Sequence, residues 1–438
     1  MARLNVAQKT DAVLTHEGAP AYPHMTAEQA LRRSVMACML WEDEFYEDGK
    51  SIADRITENA SKVSPEVLAK IAIEAREVMN LRHVPLLLLD ALSKSGPHLM
   101  AETTARVIQR VDEIPELLAI YWRNGRKMVP HQMQRGLAQA FTKFDEYQFA
   151  KYDRDSKVKL RDALRLARPK PKDEDQSALF KKIKDRALKT PDTWEVELSA
   201  GKDKKETFER LLREGKLGYL ALLRNLRNMA QANVDVDLVR EAIVARKGGA
   251  QRVLPFRYVS AARHAPQFEP YLDKALLKAI DDLPILKGRT VVCVDVSGSM
   301  RAKVSGKSEI SSADAAAALA SIINGDVRVI AFGTNAHEVP ARRGMSGVDV
   351  INSAENKYGL GYGTNIGLAV QMANGMQPDR VIVITDEQSH DRVPPPACGR
   401  AYMINVASYK NGVGYGKWMH IDGFSEGVLR YITAMEND

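Results

Sequence analysis

The sequence predicts a chain of two unlike parts, an all-α half followed by an α/β domain, on three observations. From about Thr26 to Leu283, apolar residues recur at helical spacing between short turns marked by proline, glycine or capping residues. From Thr290 onward, apolar strand-like stretches alternate with helical ones, the pattern of a doubly wound, Rossmann-like sheet. Pro284 and Gly288 flank the first strand between them, so the parts divide as 1–285 and 286–438. With 438 residues the chain is long enough for two sizeable cores.

In the helical half, Ser64-Pro65-Glu66 reads as a helix start, with Ser64 as N-cap and proline in the first turn. Val67, Leu68, Ile71, Ala72 and Ala75 then keep helical spacing. Pro85, Pro115 and Pro130 stand near further helix starts, and the succession of paired helices is similar to a HEAT-like solenoid without a strict repeat. Two prolines in Pro169-Lys170-Pro171-Lys172 demand an exposed connection. In the second part, strands are expected over Thr290–Asp295, Val327–Phe332, Val381–Thr385 and Ala401–Val406. Helices are expected over Ala313–Ile323, Asn365–Ala373 and Glu426–Met435.

The first of those strands runs into Asp295-Val296-Ser297-Gly298-Ser299. One carboxylate and two hydroxyls at i, i+2 and i+4 can turn toward one point, with Gly298 expected to let the backbone bend between them. Such oxygen ligands suit a hard divalent cation, Mg²⁺ or Mn²⁺, and leave positions open for water or an incoming acidic group. Two further segments fit the same place: the Gly-rich Gly361-Tyr362-Gly363-Thr364-Asn365, and the strand Arg380–Thr385 ending in Asp386. In an open parallel sheet, ligands gather at the carboxyl ends of strands, so Asp295 and Asp386 can be neighbours. This constellation resembles the von Willebrand factor A family, whose metal-ion-dependent adhesion site joins Asp-x-Ser-x-Ser to a distant Thr and a distant Asp. The resemblance implies Asp295, Ser297, Ser299, Thr364 and Asp386 as metal ligands.

Charge is uneven. Leu286 to Asp438 carries 15 basic and 15 acidic residues, so the whole net charge of +7 lies upstream, and residues 121–172 alone hold 14 basic against 5 acidic. An acidic partner should meet that segment. Arg123, Arg126, Lys127, His131, Arg135, Arg165, Arg168, Lys170 and Lys172 offer donors to phosphate oxygens. Tyr121, Trp122, Phe141, Tyr147 and Tyr152 are interleaved as faces for unstacked bases. Arg224 and Arg263 are further candidates. Against this, a charge run is usually a solvated helix face and an interleaved aromatic is usually core. Arg165 can also be occupied by Asp162 at i, i+3.

Specific words favour RNA. Arg135-Gly136-Leu137-Ala138-Gln139-Ala140-Phe141, Arg161 to Pro171, and Leu222 to Met229 after Trp194-Glu195 resemble the TROVE domain of the Ro autoantigen family. A TROVE domain followed by a von Willebrand A domain is that family's layout, and compactness fits a bacterial or viral member. The resemblance implies a ring of HEAT-like helices closed by the A domain. It also implies small structured Y-like RNA on a basic outer surface and single-stranded 3′ ends of misfolded RNA in a central hole, the protein acting as scaffold or quality-control factor. The stretch between Lys172 and Trp194 is shorter than in animal members, and Arg168 stands where a histidine is expected, keeping the charge.

Other classes fit less well. Gly306-Lys307-Ser308 has the end of a phosphate-binding loop, but Arg301 stands where its first glycine is required. There is no HExxH or GxSxG, and the nine histidines are scattered, so no catalysis is expected. Cys38, Cys293 and Cys398 form no CxxC pair, which fits packing residues in a reducing compartment. No run of about 18 apolar residues and no signal-peptide core is found, so a soluble, cytoplasmic protein without membrane association is expected. A monomer is the expected state. The rival reading is a protein-interaction module in which a carboxylate of a nuclease or other protein completes the metal's coordination sphere.

Overall fold

Several helix starts in the first half are fixed by side chains that accept otherwise unpaired backbone N–H groups. Ser64 accepts from Val67, Asp145 and Asp173 each accept from the third residue beyond, and Asp145 is answered by Gln148 in a reciprocal capping box. The computed structural model describes residues 26–35, 49–153, 157–281, 283–304, 310–407, 412–414, 416–424 and 427–437. The Gly306-Lys307-Ser308 piece, Cys38, His16 and His24 lie outside them.

Among the described residues, sixteen α-helices precede the sheet. They are α1 (Ala27–Val35), α2 (Gly49–Ala60), α3 (Pro65–Glu77), α4 (His83–Ser95), α5 (Met100–Val107), α6 (Glu113–Tyr121), α7 (His131–Phe141) and α8 (Glu146–Tyr152). There follow α9 (Leu160–Ala167), α10 (Glu174–Asp185), α11 (Trp194–Ser199), α12 (Lys204–Arg213), α13 (Tyr219–Gln231), α14 (Val236–Ala245), α15 (Pro255–His264) and α16 (Glu269–Ile280). Packing runs in two rows: α3 on α5, α5 on α7 and α7 on α9 in one, α2 on α4 and α4 on α6 in the other. The same alternation returns as α12 on α14 on α16 beside α13 on α15. That is the HEAT-like arrangement. It explains Leu86 to Leu89, an unbroken apolar run that is fully buried because α4 is packed by α2, α3, α5 and α6 together.

The second part holds β1 (Ile285–Asp295), β2 (Asn324–Phe332), β3 (Ala336–Val339), β4 (Arg380–Thr385), β5 (Arg400–Asn405) and β6 (Met419–Asp422). With them come α17 (Ser312–Ser321), α18 (Met345–Tyr358), α19 (Ile366–Gly375) and α20 (Gly427–Asn437). The strand order is β3-β2-β1-β4-β5-β6, parallel except for the antiparallel edge strand β3. Side chains alternate between two cores: Val291, Cys293, Val381 and Val383 pack with Ile366, Ala369 and Val370 of α19, while Val292, Val294, Ile382 and Ile384 join the larger core.

Three elements of this domain were not anticipated. Strand β3 is too short for alternation to register, α18 is rich in Ser, Asn and Gly, and β6 carries His420 and Asp422 as buried polar groups. Conversely, the expected helix Ala313–Ile323 stops at Ser321.

Both ends of the helical array rest on the α/β domain. At one end α1 lies on β6, where Arg33 donates to Asp422 at 2.9 Å and to Glu387 at 3.0 Å, and His420 Nδ1 meets Glu387 at 2.9 Å, all buried. Arg55 of α2 adds a bond to Asp422 at 3.3 Å. At the other end α15 packs on α17, Arg263 pairs with Asp314, and Asp273 accepts from the Met345 amide at 2.8 Å.

Candidate functional site

The C-terminal ends of β1 and β4 are adjacent; the chain runs from β1 through β2 and β3 on one side and then to β4 on the other, so the gap between β1 and β4 is the switch point where open α/β sheets place ligands. Asp295 and Asp386 meet there, both buried. Asp295 Oδ1 accepts from the Ser297 amide at 2.9 Å, Oδ2 accepts from Thr385 at 2.6 Å, and the Ser297 and Ser299 hydroxyls lie 3.3 Å apart. Burial, and then the Asp386 charge, push the Asp295 carboxyl far above the usual carboxylate range.

The Thr364 loop is tied to the segment after β4: the Thr364 amide donates to His390 Nδ1 at 3.2 Å, and the His390 amide donates to the Thr364 carbonyl at 2.9 Å. Thr364 Oγ1 itself is buried with no hydrogen-bond partner among the described residues. An orphaned buried hydroxyl, on a loop tied both to Gly298 between the two serines and to His390 after Asp386, fits a hard divalent cation held with the two buried carboxylates. Gly298 has φ −61° and ψ −39°, an ordinary right-handed conformation, so a special bend is not its purpose. Its missing side chain is what counts, because a Cβ would stand 3.3 Å from the Tyr362 carbonyl oxygen that its own amide bonds at 2.9 Å. Sequence reasoning missed Thr385 and His390, the first hidden inside a strand read as apolar, the second among scattered histidines.

The basic candidates separate into several places. His131, Arg135, Arg168 and Lys170 line one groove of about 530 Å³ between α7 and the end of α9, together with Gln134, Gln139 and Thr142, and no carboxylate lines it. Arg168 occupies the left-handed position after α9 with φ +48°, where glycine is usual and another residue costs about 1 kcal/mol. Arg186 and Arg246 close their helices in the same way, so the conformation alone marks nothing.

The other candidates lie elsewhere. Arg123 is directed to Asp90 at 3.5 Å, and Arg126 and Lys127 cover the Trp122 and Tyr121 rings at 4.8 and 4.1 Å from the centroids. Arg165 reaches Asp162 at 3.9 Å, the i, i+3 pair foreseen from sequence. Lys172 is exposed outside the groove, and Arg263 is engaged at the domain junction. Arg224 sits in a separate depression with Arg227, Arg257 and His264, three residues sequence reasoning passed over. Among the aromatics, Phe141 is core, stacked on Phe149 at 5.9 Å, and Tyr121 is buried with its hydroxyl on the Met128 carbonyl, whereas Tyr147 is exposed.

A domain model for the TROVE domain matches residues 181–280, and one for the von Willebrand factor type A domain matches residues 290–388. A TROVE-type segment is therefore followed directly by a von Willebrand A-type segment, the order of the layout that the sequence words resemble. The crystal structure of the Ro (RSR) protein of Deinococcus radiodurans superposes with a TM-score of 0.60 over 94% of this chain and 100% of that one, at 17% identity, so the fold is shared along almost the whole length. Telomerase protein component 1 of Mus musculus is 34% identical over 89 residues, and that of Rattus norvegicus 33% over 89 residues. Each match spans 19% of this chain and 3% of the relative, so the resemblance is to one segment of a much longer protein.

Proposed function

We propose that this chain is a non-catalytic RNA-binding protein of the Ro type, which holds a small structured, Y-like RNA on its basic surface and takes single-stranded 3′ ends of misfolded RNA into the ring, as a scaffold or quality-control factor in the cytoplasm. The observation that carries the reading is the α7/α9 groove. It brings four cationic or titratable side chains from α7 and the segment just after α9 together with amide and hydroxyl groups and without an acid, which suits phosphate and sugar contacts of folded RNA. The protein acts as a monomer in this reading.

The test is a salt series of binding to a structured RNA with and without a single-stranded 3′ tail, comparing wild type with Arg135→Glu/Arg168→Glu. Affinity should fall with salt, and the variant should lose about tenfold or more and show a shallower salt slope. RNA affinity equal in wild type and variant would remove the groove from the interface.

A second reading is favoured by the Thr364 hydroxyl and the paired carboxylates: a Mg²⁺ or Mn²⁺ ion at Asp295, Ser297, Ser299, Thr364 and Asp386 serves as anchor for a carboxylate of a partner protein such as a nuclease. The ion would supply a Lewis-acidic open position, while Thr385 and the Ser297 amide keep Asp295 oriented. The A domain has no net charge with which to attract RNA, so a division of labour is expected. Asp295→Ala should abolish thermal stabilisation by Mg²⁺ and leave RNA affinity unchanged; an equal loss of RNA affinity would sink the division.

A further inference from the structure

The depression between α13 and α15 is assembled from two helix faces. Leu220, Arg224 and Arg227 follow one another at helical spacing on α13, and Arg257, Ser260 and His264 do so on α15, around a cavity of about 320 Å³. Three guanidinium groups line it and no carboxylate does. Arg224 and Arg227 form no side-chain hydrogen bond or ion pair with any described residue.

The neighbouring cavity of about 430 Å³ at the domain junction provides a contrast. Its arginines, Arg263 and Arg301, each meet an acid on its wall, Asp314 and Glu355 respectively. Where an arginine serves the fold here, a carboxylate answers it. Arg224 and Arg227, facing one concavity beside the Arg257 guanidinium with no carboxylate on its wall, repel one another, and an anion is the natural relief. Leu220, two-fifths exposed, gives the rim an apolar shelf, and the volume accommodates a small-molecule group.

We propose that this depression is a phosphate-binding subsite, separate from the α7/α9 groove, which holds a phosphorylated nucleotide unit with its phosphate on Arg224, Arg227 and Arg257 and its base or ribose against Leu220. It rests on the RNA-binding reading for the source of that unit, a single strand. The phosphate chemistry would equally accept a free nucleotide.

The experiment uses the full chain and two probes: ADP against adenosine by calorimetry, and a labelled oligoribonucleotide too short to fold by fluorescence anisotropy. Arg224→Gln/Arg227→Gln alters exposed side chains, and Arg135→Gln/Arg168→Gln is the groove control. Wild type should bind ADP and the strand but not adenosine. The pocket variant should lose about tenfold or more on both, and the groove control should keep its ADP affinity.

Strand affinity lost in the pocket variant without ADP binding in any protein also supports the subsite, with a backbone phosphate as occupant. ADP bound only by proteins with the pocket intact, and no RNA bound by any, keeps the subsite while the RNA reading fails. Wild type binding neither probe, or the pocket variant binding both as wild type does, overturns the proposal.

Discussion

Asp295 is fully buried, held by Thr385 and the Ser297 amide, and faces the Asp386 charge. Without a cation, burial and the Asp386 charge make its ionised form costly, so its folded-state pKa lies above its unfolded one. A carboxyl displaced in that direction favours the folded state when protonated, and the protein loses stability as pH rises from the ordinary carboxylate range toward the raised value. A divalent cation does at higher pH what the proton does at lower pH. Thermal melts with and without Mg²⁺ should therefore show an increment at about pH 7.5 well above that near pH 5. Equal increments at both would mean that the ion acts elsewhere.

The ligand-type oxygens were legible because Asp295, Ser297 and Ser299 are contiguous and Thr364 and Asp386 arrive in loops after recognisable patterns. Thr385 was not legible. Its hydroxyl bonds Asp295 from the end of the apolar run Val381 to Ile384, and alternation says nothing of a polar group satisfied across the sheet.

At the scale of elements, the helical rows depend on close approaches that periodicity alone does not reveal. Gly136 lies where α7 meets α5, and a Cβ there would stand 2.6 Å from Thr104 Cβ and 2.7 Å from the Ala101 carbonyl oxygen. Alanine in place of a helical glycine gains up to about 1 kcal/mol from chain entropy. Overpacking against backbone costs about 1–3 kcal/mol and should win, because the carbonyl cannot swing away as a side-chain tip could. Chemical denaturation of Gly136→Ala should show a net loss of stability with an unchanged denaturant slope, and a gain would mean that α5 and α7 separate easily. The helices themselves were readable from caps and apolar spacing. The missed strand β6 was not, because Asp422 faces Arg33 from the opposite end of the chain and His420 meets Glu387 after β4, contacts with no local signature.

For the whole molecule, that contact decides whether the array is held at both ends. Arg33 is buried between Glu387 and Asp422, and His420 completes the set. Burial pushes the Glu387 carboxyl up, but the charges of Arg33 and His420 outweigh it and hold it below the usual carboxylate range. Arg33→Met keeps the volume but removes the buried cation that both carboxylates share, leaving Glu387 to His420 and Asp422 to Arg55, a loss of about 3–5 kcal/mol. The sign with pH follows. In wild type the Glu387 contribution is present above the unfolded carboxylate value and fades as pH falls through the lower folded one, whereas in the variant protonation relieves a buried charge that has lost its Arg33 partner, so the gap between them narrows on acidification. Glu387 directly follows Asp386, so loosening this end should reach the metal-type loops. Hydrogen exchange on Arg33→Met should show lost protection in α1, β6 and the segment after β4, while α13 and α14, far along the array, keep theirs. Uniform loss across all sixteen helices would mean instead that array and α/β domain unfold as one cooperative unit, with the N-terminal contact serving as an integral part of the fold.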